Sequence, residues 1–528
     1  MRFFNTAGPV DCQRHYCLPP LSRFDLEEVL SLIAQEKYFV LHAPRQVGKT
    51  SCLLALMDYL NREGHYRCLY ANVEMAQTAR EDVKRGMQAI LNEISSMALS
   101  VLGDSFLEEH WPQVLERVGG DGALNKVLTL WAEQNPQPLV LLLDEIDALV
   151  GDTLISALRQ LRAGYPKRPR SFPQTDILCG VRDVRDYRIH SDREKAIIMG
   201  GSAFNVKAKS LRLGDFSRDE MAILYQQHTE ETGQAFDAAT LDLAWELTRG
   251  QPWLVNALGY EVCFEMEQGR DRSRPITAGM LVEAKERLIL RRETHLDQLM
   301  DKLQEARVRR VISPMLQGME LERQVSQDDI QYVIDLGLVH RGSAGLEVAN
   351  GIYREVIPRE LTFIAQLNFE STVQPAWYIG ADGQLDMARL LEAFQAFFRE
   401  HSESWVERFD YKEAGPQLLL QAFLQRILNS GGRVEREYGL GRRRTDLMVI
   451  WPYPGGVQRV VIELKIVHSS LERTLAEGLV QTRAYMDRCG TDEGHLVIFD
   501  REPGKPWEEK IFRQAEVYQG KRITVWGM

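Results

Sequence analysis

No stretch of 18 apolar residues occurs anywhere in this 528-residue chain, so no segment is long and apolar enough to be read as a membrane-spanning helix. Met1 to Pro20 lacks the charged-then-apolar pattern of an export leader; the expected location is cytoplasmic, with no membrane partner. No internal repeat and no low-complexity run is present. Cysteine is sparse. Its 7 copies, Cys12, Cys17, Cys52, Cys68, Cys179, Cys263 and Cys489, form no C-x-x-C pair and no zinc spacing with histidine, so reduced, mostly buried thiols are expected. Surplus positive charge is missing too. A net charge of -11 argues against a chain that coats nucleic acid, because nonspecific affinity comes chiefly from Lys and Arg neutralising phosphates. Any such binding must use local patches.

What is present is ordinary globular chemistry, 44% hydrophobic and 26% charged, in a length that exceeds one core and predicts three or four units. Lys37 to His42 reads as a buried strand running into Ala43-Pro44-Arg45-Gln46-Val47-Gly48-Lys49-Thr50, followed by helical apolar spacing from Ser51 to Leu60. This is a P-loop in which Ala43 replaces the usual first glycine. Backbone N–H groups of residues 43–51 would cradle the phosphates of ATP, Lys49 would reach the terminal ones, and Thr50 would offer its hydroxyl to Mg²⁺. A partner carboxylate is needed. Pro138 to Leu143 is a continuous apolar run of the kind found in central parallel strands, and it ends in Asp144-Glu145-Ile-Asp147. Asp144 is the expected second Mg²⁺ contact and Glu145 the base that activates water. Arg182, after the strand Asp176 to Gly180, is a candidate sensor of the γ-phosphate; a structural salt bridge among Asp183, Arg185, Asp186 and Arg188 is the equal alternative.

Near the C-terminus, Gly441-Arg-Arg-Arg-Thr-Asp446 opens one apolar strand and Val460-Val-Ile-Glu463-Leu-Lys465 closes the next, around the turn-forming Pro452-Tyr-Pro-Gly-Gly456. With a side-chain period of 2, Glu463 and Lys465 share a face. Asp446 and Glu463 can then hold Mg²⁺, with Mn²⁺ an alternative, and the lysine can orient the attacking water. This stretch resembles the PD-(D/E)XK nuclease superfamily over roughly Tyr411 to Asp500. The resemblance makes Glu413 the helix glutamate, Asp446 and Glu463 the metal ligands and Lys465 the catalytic lysine, with Gln481 and Tyr485 matching Q-x-x-x-Y on the following helix.

Residues 1 to about 365 resemble AAA-like ATPases related to the archaeal-type and signal-transduction P-loop proteins. The resemblance rests on the nucleotide motifs, on an N-terminal segment containing Phe4 to Val10, His15 to Pro20 and Arg23, and on Ser202 to Asn205 and Thr248 to Asn256 as strand and lid-helix signatures. It implies that the N-terminal segment packs near the adenine, and leaves Arg249 as either a nucleotide contact or half of a helix-capping Arg-Gly pair. The expected fold class is α/β multidomain. A P-loop parallel-sheet core (1–212) precedes a helical lid (213–292), a winged-helix-like module (293–365), a connector (366–409) and a restriction-endonuclease-like α/β domain (410–528).

The winged helix invites a DNA-binding reading, yet its candidate recognition helix carries Asp328, Asp329 and Asp335, so protein or interdomain contact is the equal reading. Arg442 to Arg444 is the patch best placed to hold a scissile strand; Arg159 to Arg170 is either a solvated loop or a nucleic-acid or partner contact. The combined expectation is an ATP-dependent or ATP-regulated nuclease acting on DNA, with a part in defence against mobile DNA implied by resemblance only. A signalling or scaffold ATPase that binds nucleic acid without cutting it is the alternative, and a DNA motor is disfavoured by the absence of helicase motifs. The ATPase class also leaves open a homo-oligomer completing the ATP site, or a protein trigger.

Overall fold

A computed structural model describes residues 1–184, 188–191, 196–199, 203–291, 294–316, 325–342, 345–361, 378–380, 382–408, 420–421, 423–424, 433–437, 446–467, 470–500, 502 and 505–528. The chain divides into two units, one of Met1–His295 with Ile334–Gly337, the other of Leu296–Val333 with Leu338–Met528. Among the described residues no helix is long and apolar enough to cross a membrane.

The first unit is built on five parallel strands: β1 (Tyr38–His42), β2 (Arg67–Asn72), β3 (Leu139–Asp144), β4 (Thr175–Gly180) and β5 (Lys207–Arg212), in the order β2-β3-β4-β1-β5. All six residues of β3 are buried, as expected of a strand covered on both faces. Alternation sorts the side chains. Tyr38, Val40, Leu69, Ala71, Leu141, Leu143 and Leu178 pack with the helices Val83–Leu102, Gly120–Gln134 and Gly151–Gly164. Phe39, Leu41, Tyr70, Val140, Leu142, Ile177 and Cys179 face α1 (Lys49–Glu63), which contributes Cys52, Leu53, Leu56, Met57 and Leu60. Each large apolar side chain buried there contributes roughly 1.5–3 kcal/mol. Parity therefore puts the β3 carboxylate, two residues beyond Leu142, on the same face as α1.

The lid is helical. It contains Arg218–Thr232, Ala238–Thr248, Pro252–Tyr260 and Ala278–Arg291, the first opened by the capping box of Ser217 and Glu220. Phe4 and Tyr16 of the N-terminal segment pack against Tyr225 and His228 of this lid, and the Trp253 indole donates to the Thr6 carbonyl at 2.9 Å. Two expectations need correction. Cys12 and Cys17 form a disulfide, their Cα atoms 5.4 Å apart, because the turn in which the Asp11 carbonyl accepts from Arg14 and His15 folds the segment back; the other five cysteines are free. Residues 203–206 form a helical turn and a hydrogen-bonded turn, and the strand begins at Lys207.

In the second unit a six-stranded sheet has the order β6-β7-β8-β9-β11-β10, with β6 (Arg433–Glu437), β7 (Asp446–Tyr453), β8 (Gly456–Ile466), β9 (Glu493–Phe499), β10 (Phe512–Tyr518) and β11 (Lys521–Gly527). Strands β6, β7 and β8 are antiparallel, β8 pairs parallel with β9, and β9 with β11. One face buries Leu447, Val449, Val460, Ile462, Leu464 and Trp526 with Leu390, Leu391 and Phe394 of the helix Met387–Arg408. The other buries Val461, Leu496, Ile498 and Val525 with Tyr485 and Met486 of α2 (Leu471–Cys489). Helix Ala306–Leu316, helix Gln327–Asp335, whose last two residues belong to the first unit, and the hairpin Val339–Gly342 with Gly345–Val348 lie in the segment expected to be a winged helix. Asp328 and Asp329 do not face solvent charge unopposed: Arg307 and Arg310 pair with them at 2.9–3.3 Å.

Asp176 opens β4 fully buried, and neither carboxylate oxygen has a hydrogen-bond partner in good geometry among the described residues. Burial pushes its pKa up to about 8, and the neighbouring Tyr38 hydroxyl and Arg168 guanidinium offset only part of this. The unfolded carboxyl titrates near ~3.9. The folded state therefore holds a proton that the unfolded state has lost, and this stabilisation, complete below about pH 4, disappears as pH rises through the folded value. Thermal denaturation followed from pH 6 to pH 9 should show stability falling, and Asp176→Asn should flatten that slope and melt above wild type at pH 9.

Candidate nucleotide and metal sites

At the C-terminal end of β1 the chain turns sharply into α1. The Ala43 amide donates to the Gly180 carbonyl of β4 at 3.2 Å, Gln46 has φ 57°, and Gly48 has φ 101°, a backbone state that side chains with a Cβ rarely adopt. Arg23 brackets the loop from outside, donating to the Val47 and Gly214 carbonyls. The Val10 amide donates to the Ser51 hydroxyl at 3.0 Å, so the N-terminal segment packs on the start of α1 as well as on the lid.

The Lys49 ammonium is buried and donates to the carbonyls of Ala43 and Pro44, each at 3.0 Å. A buried ammonium whose contacts are its own loop's carbonyls fits a terminal phosphate, which would exchange for those neutral acceptors with a charged one. The Thr50 hydroxyl donates to Asp144 Oδ2 at 2.7 Å, and Asp144 is fully buried. Its other oxygen accepts from the Glu145 amide at 2.9 Å. Hydroxyl and carboxylate together are a hard-oxygen donor set that fits Mg²⁺. Glu145 stands at φ 57°, ψ 40°, a strained left-handed state for a non-glycine residue. Burial first, then Asp147 and Asp144, raise its carboxyl above the ordinary range, while Lys49 and Arg45 pull it back.

One residue in this site was missed in the sequence. Tyr70 of β2 donates its hydroxyl to Asp144 Oδ2 at 3.0 Å. The signal was faint: a tyrosine inside the otherwise apolar Cys68-Leu-Tyr-Ala run, on the parity that faces α1. Arg182 is the opposite case. Its guanidinium Nε lies 3.0 Å from Asp335, both side chains buried, so the ion-pair alternative is realised with an aspartate far along the chain. Asp183 is bound instead by Lys207 at 2.6 Å and by the Ser210 hydroxyl. Arg249 takes the left-handed position that ends the helix Ala238–Thr248, its amide bonded to the Trp245 carbonyl, which is the capping role. In the basic stretch from 159 to 170, Arg168 stacks on Tyr165 at 3.5 Å and donates to the Tyr165 and Gln174 carbonyls, and Lys167 donates to Asn125 and Thr129; these two cations are spent on packing.

In the second unit, the β7–β8 register sets position 446 directly opposite Glu463. Glu463 follows Val461 by two residues, so it lies on the face covered by α2, and it is fully buried. Lys465 Nζ comes 2.5 Å from its Oε1, an ion pair along the strand, yet among the described residues neither oxygen of Glu463 receives a hydrogen bond in acceptable geometry. A buried carboxylate short of donors is costly, and its chemistry fits a cation. Gln481 sits on α2 one turn beyond Gly478, its Oε1 likewise buried without a hydrogen-bond partner among the described residues. Gly478 is needed there: a Cβ would come within 2.6 Å of the Leu496 side chain, the residue beside Glu463 in the next strand. Among the described residues no three metal-binding side chains converge. Glu413 and Arg442 to Arg444 lie outside the described residues, and for Asp446 the backbone register alone is described.

No family model and no curated protein matches the chain. Among solved structures it is similar to the Walker-type ATPase PABY2304 of Pyrococcus abyssi, at 14% identity, TM-score 0.43, covering 67% of this chain and 99% of that one. It is also similar to the ORC2 protein of Aeropyrum pernix (15% identity, TM-score 0.38, 64% and 93%) and to Cdc6p of Pyrobaculum aerophilum (13%, TM-score 0.36, 65% and 93%). Likeness at this level assigns no family. The P-loop α/β architecture stands on the chain's own parallel sheet, loop and β3 carboxylate.

Glu145→Gln should leave ATP binding intact and lower hydrolysis by about 10²–10⁴-fold, the range for loss of a positioned base. Its raised pKa also predicts that wild-type hydrolysis declines on acidification at a higher pH than an exposed carboxylate would give, checked by a pH–rate profile of phosphate release.

Proposed function

We propose that this chain is an ATP-regulated, Mg²⁺-dependent nuclease that acts on DNA. The observation that supports the nuclease reading is the register that sets Asp446 opposite a fully buried Glu463, whose oxygens have no hydrogen bond in good geometry among the described residues and whose ion-pair partner Lys465 lies two residues on. Asp446 and Glu463 would hold Mg²⁺, which when bound would supply Lewis-acid polarisation of the phosphodiester and activation of water. Lys465, held beside Glu463, orients the attacking water or meets the charge developing on the phosphodiester. Glu413 and Gln481 complete the positioning, as the resemblance implies, and Arg442 to Arg444 hold the strand to be cut. A place in defence against mobile DNA is consistent with such a pairing.

In the first unit Lys49, Thr50 and Asp144 hold Mg²⁺-ATP within residues 43–51, and Glu145 draws the proton from water as it attacks. Regulation is supported by Arg182. Arg182, the candidate γ-phosphate sensor, is paired with Asp335; in this reading nucleotide and aspartate compete for one guanidinium, a two-state element.

Supercoiled plasmid incubated with the purified chain and Mg²⁺, with and without ATP, tests the reading. Nicking or linearisation that depends on ATP and vanishes in Asp446→Ala is expected. Absence of cutting on plasmid, single-stranded DNA and RNA under every nucleotide condition favours a scaffold ATPase that binds nucleic acid. Asp335→Asn should raise ATP affinity by at least about fivefold, the lower range of ordinary coupling energies, measured by equilibrium binding of a fluorescent ATP analogue. An unchanged affinity would remove the competition from the account.

A further inference from the structure

The Asp144 carboxylate has four lone-pair sites. Oδ2 accepts from both the Thr50 hydroxyl, at 2.7 Å, and the Tyr70 hydroxyl, at 3.0 Å, while Oδ1 accepts from the Glu145 amide at 2.9 Å. The Cys179 thiol of β4 also hydrogen-bonds this carboxylate, so the group is held from several strands at once. Thr50, in giving its proton to Oδ2, keeps its own lone pairs for a cation.

Tyr70 is fixed for this task by the sheet. Its ring belongs to the cluster under α1 with Leu142, Ile177 and Cys179, and register sets Asn72 opposite Asp144, so Tyr70 reaches the carboxylate from one strand over. Tyr70 is buried, and its hydroxyl donates directly to the carboxylate. None of the sequence motifs includes this residue.

We infer that Tyr70 is a positioning residue for the metal of the nucleotide site: its hydroxyl locks the Asp144 carboxylate so that Thr50 Oγ1 and the Asp144 carboxylate face one divalent cation. This rests on the reading of residues 43–51 with Asp144 as a Mg²⁺-nucleotide site. Without the hydroxyl, Oδ2 loses a donor, the carboxylate is held less firmly, and the Thr50 lone pairs lose their fixed direction. Partners that orient metal ligands from behind typically matter by 10–100-fold in metal affinity.

The test compares wild type with Tyr70→Phe, which keeps the ring in its apolar cluster, and with Asp144→Asn. N-methylanthraniloyl-ATP binding to the full chain is measured by fluorescence in EDTA and then across a Mg²⁺ titration, with thermal melts as a check on folding. The inference predicts wild-type affinity for Tyr70→Phe in EDTA and a Mg²⁺ half-saturation raised by about tenfold or more, with Mn²⁺, which binds such sites more tightly, narrowing the difference. Asp144→Asn should lose the Mg²⁺ response altogether. A Tyr70→Phe curve that overlays wild type in Mg²⁺, or equal losses in EDTA and Mg²⁺, overturns it. Wild type binding no analogue in either condition would overturn the nucleotide site itself, and the two failures are read in different arms of the experiment.

Discussion

Both units of this protein face the same physical problem, a carboxylate placed in a strand from which water is excluded. A buried charge needs several donors or a cation, since the penalty of desolvation far exceeds that of a lost ordinary hydrogen bond. Asp144 is answered within the protein by Thr50, Tyr70 and the Glu145 amide. Glu463 is answered by Lys465, the one close ion-pair partner among the described residues, none of which gives either oxygen a hydrogen bond in good geometry.

In the first unit, parallel strands bring every strand end with chemistry to one edge of the sheet. Loop 43–48 leaves β1, the carboxylate ends β3, and Arg182 follows β4, which lies between them in the sheet. Lys49 and Arg182 are both parked, one on loop carbonyls and one on Asp335. A phosphate could claim either. In the second unit the antiparallel β7–β8 pair supplies the cross-strand juxtaposition of Asp446 and Glu463, and the close approach permitted by Gly478 brings α2 down over that face.

Much of this was legible in the sequence because strong local rules apply. Continuous apolar strands, the loop glycine, the Ser217 capping box and the period-2 relation of Glu463 to Lys465 are all local signals. What escaped was long-range. Tyr70 gains its role only when β2 is laid beside β3, and Asp335 meets Arg182 across 153 residues of sequence. The Cys12–Cys17 pairing depends on a local turn that spacing rules for zinc or redox motifs do not describe. The strand expected from Ser202 began later because residues 203–206 form turns, and the Asp328 and Asp329 charges that weighed against DNA contact are paired with Arg307 and Arg310, which the sequence could not show.

The central claim is that the two carboxylates are separate seats for a divalent cation, one linked to nucleotide and one not. Electron paramagnetic resonance of free Mn²⁺ during titration of the full chain measures this directly, with Glu463→Gln and Asp144→Asn alongside wild type. The account predicts nucleotide-free Mn²⁺ uptake that is lost in Glu463→Gln and kept in Asp144→Asn, and a further ATP-linked uptake with the reverse pattern. Nucleotide-free uptake that is absent from wild type, or unaltered in Glu463→Gln, would contradict it.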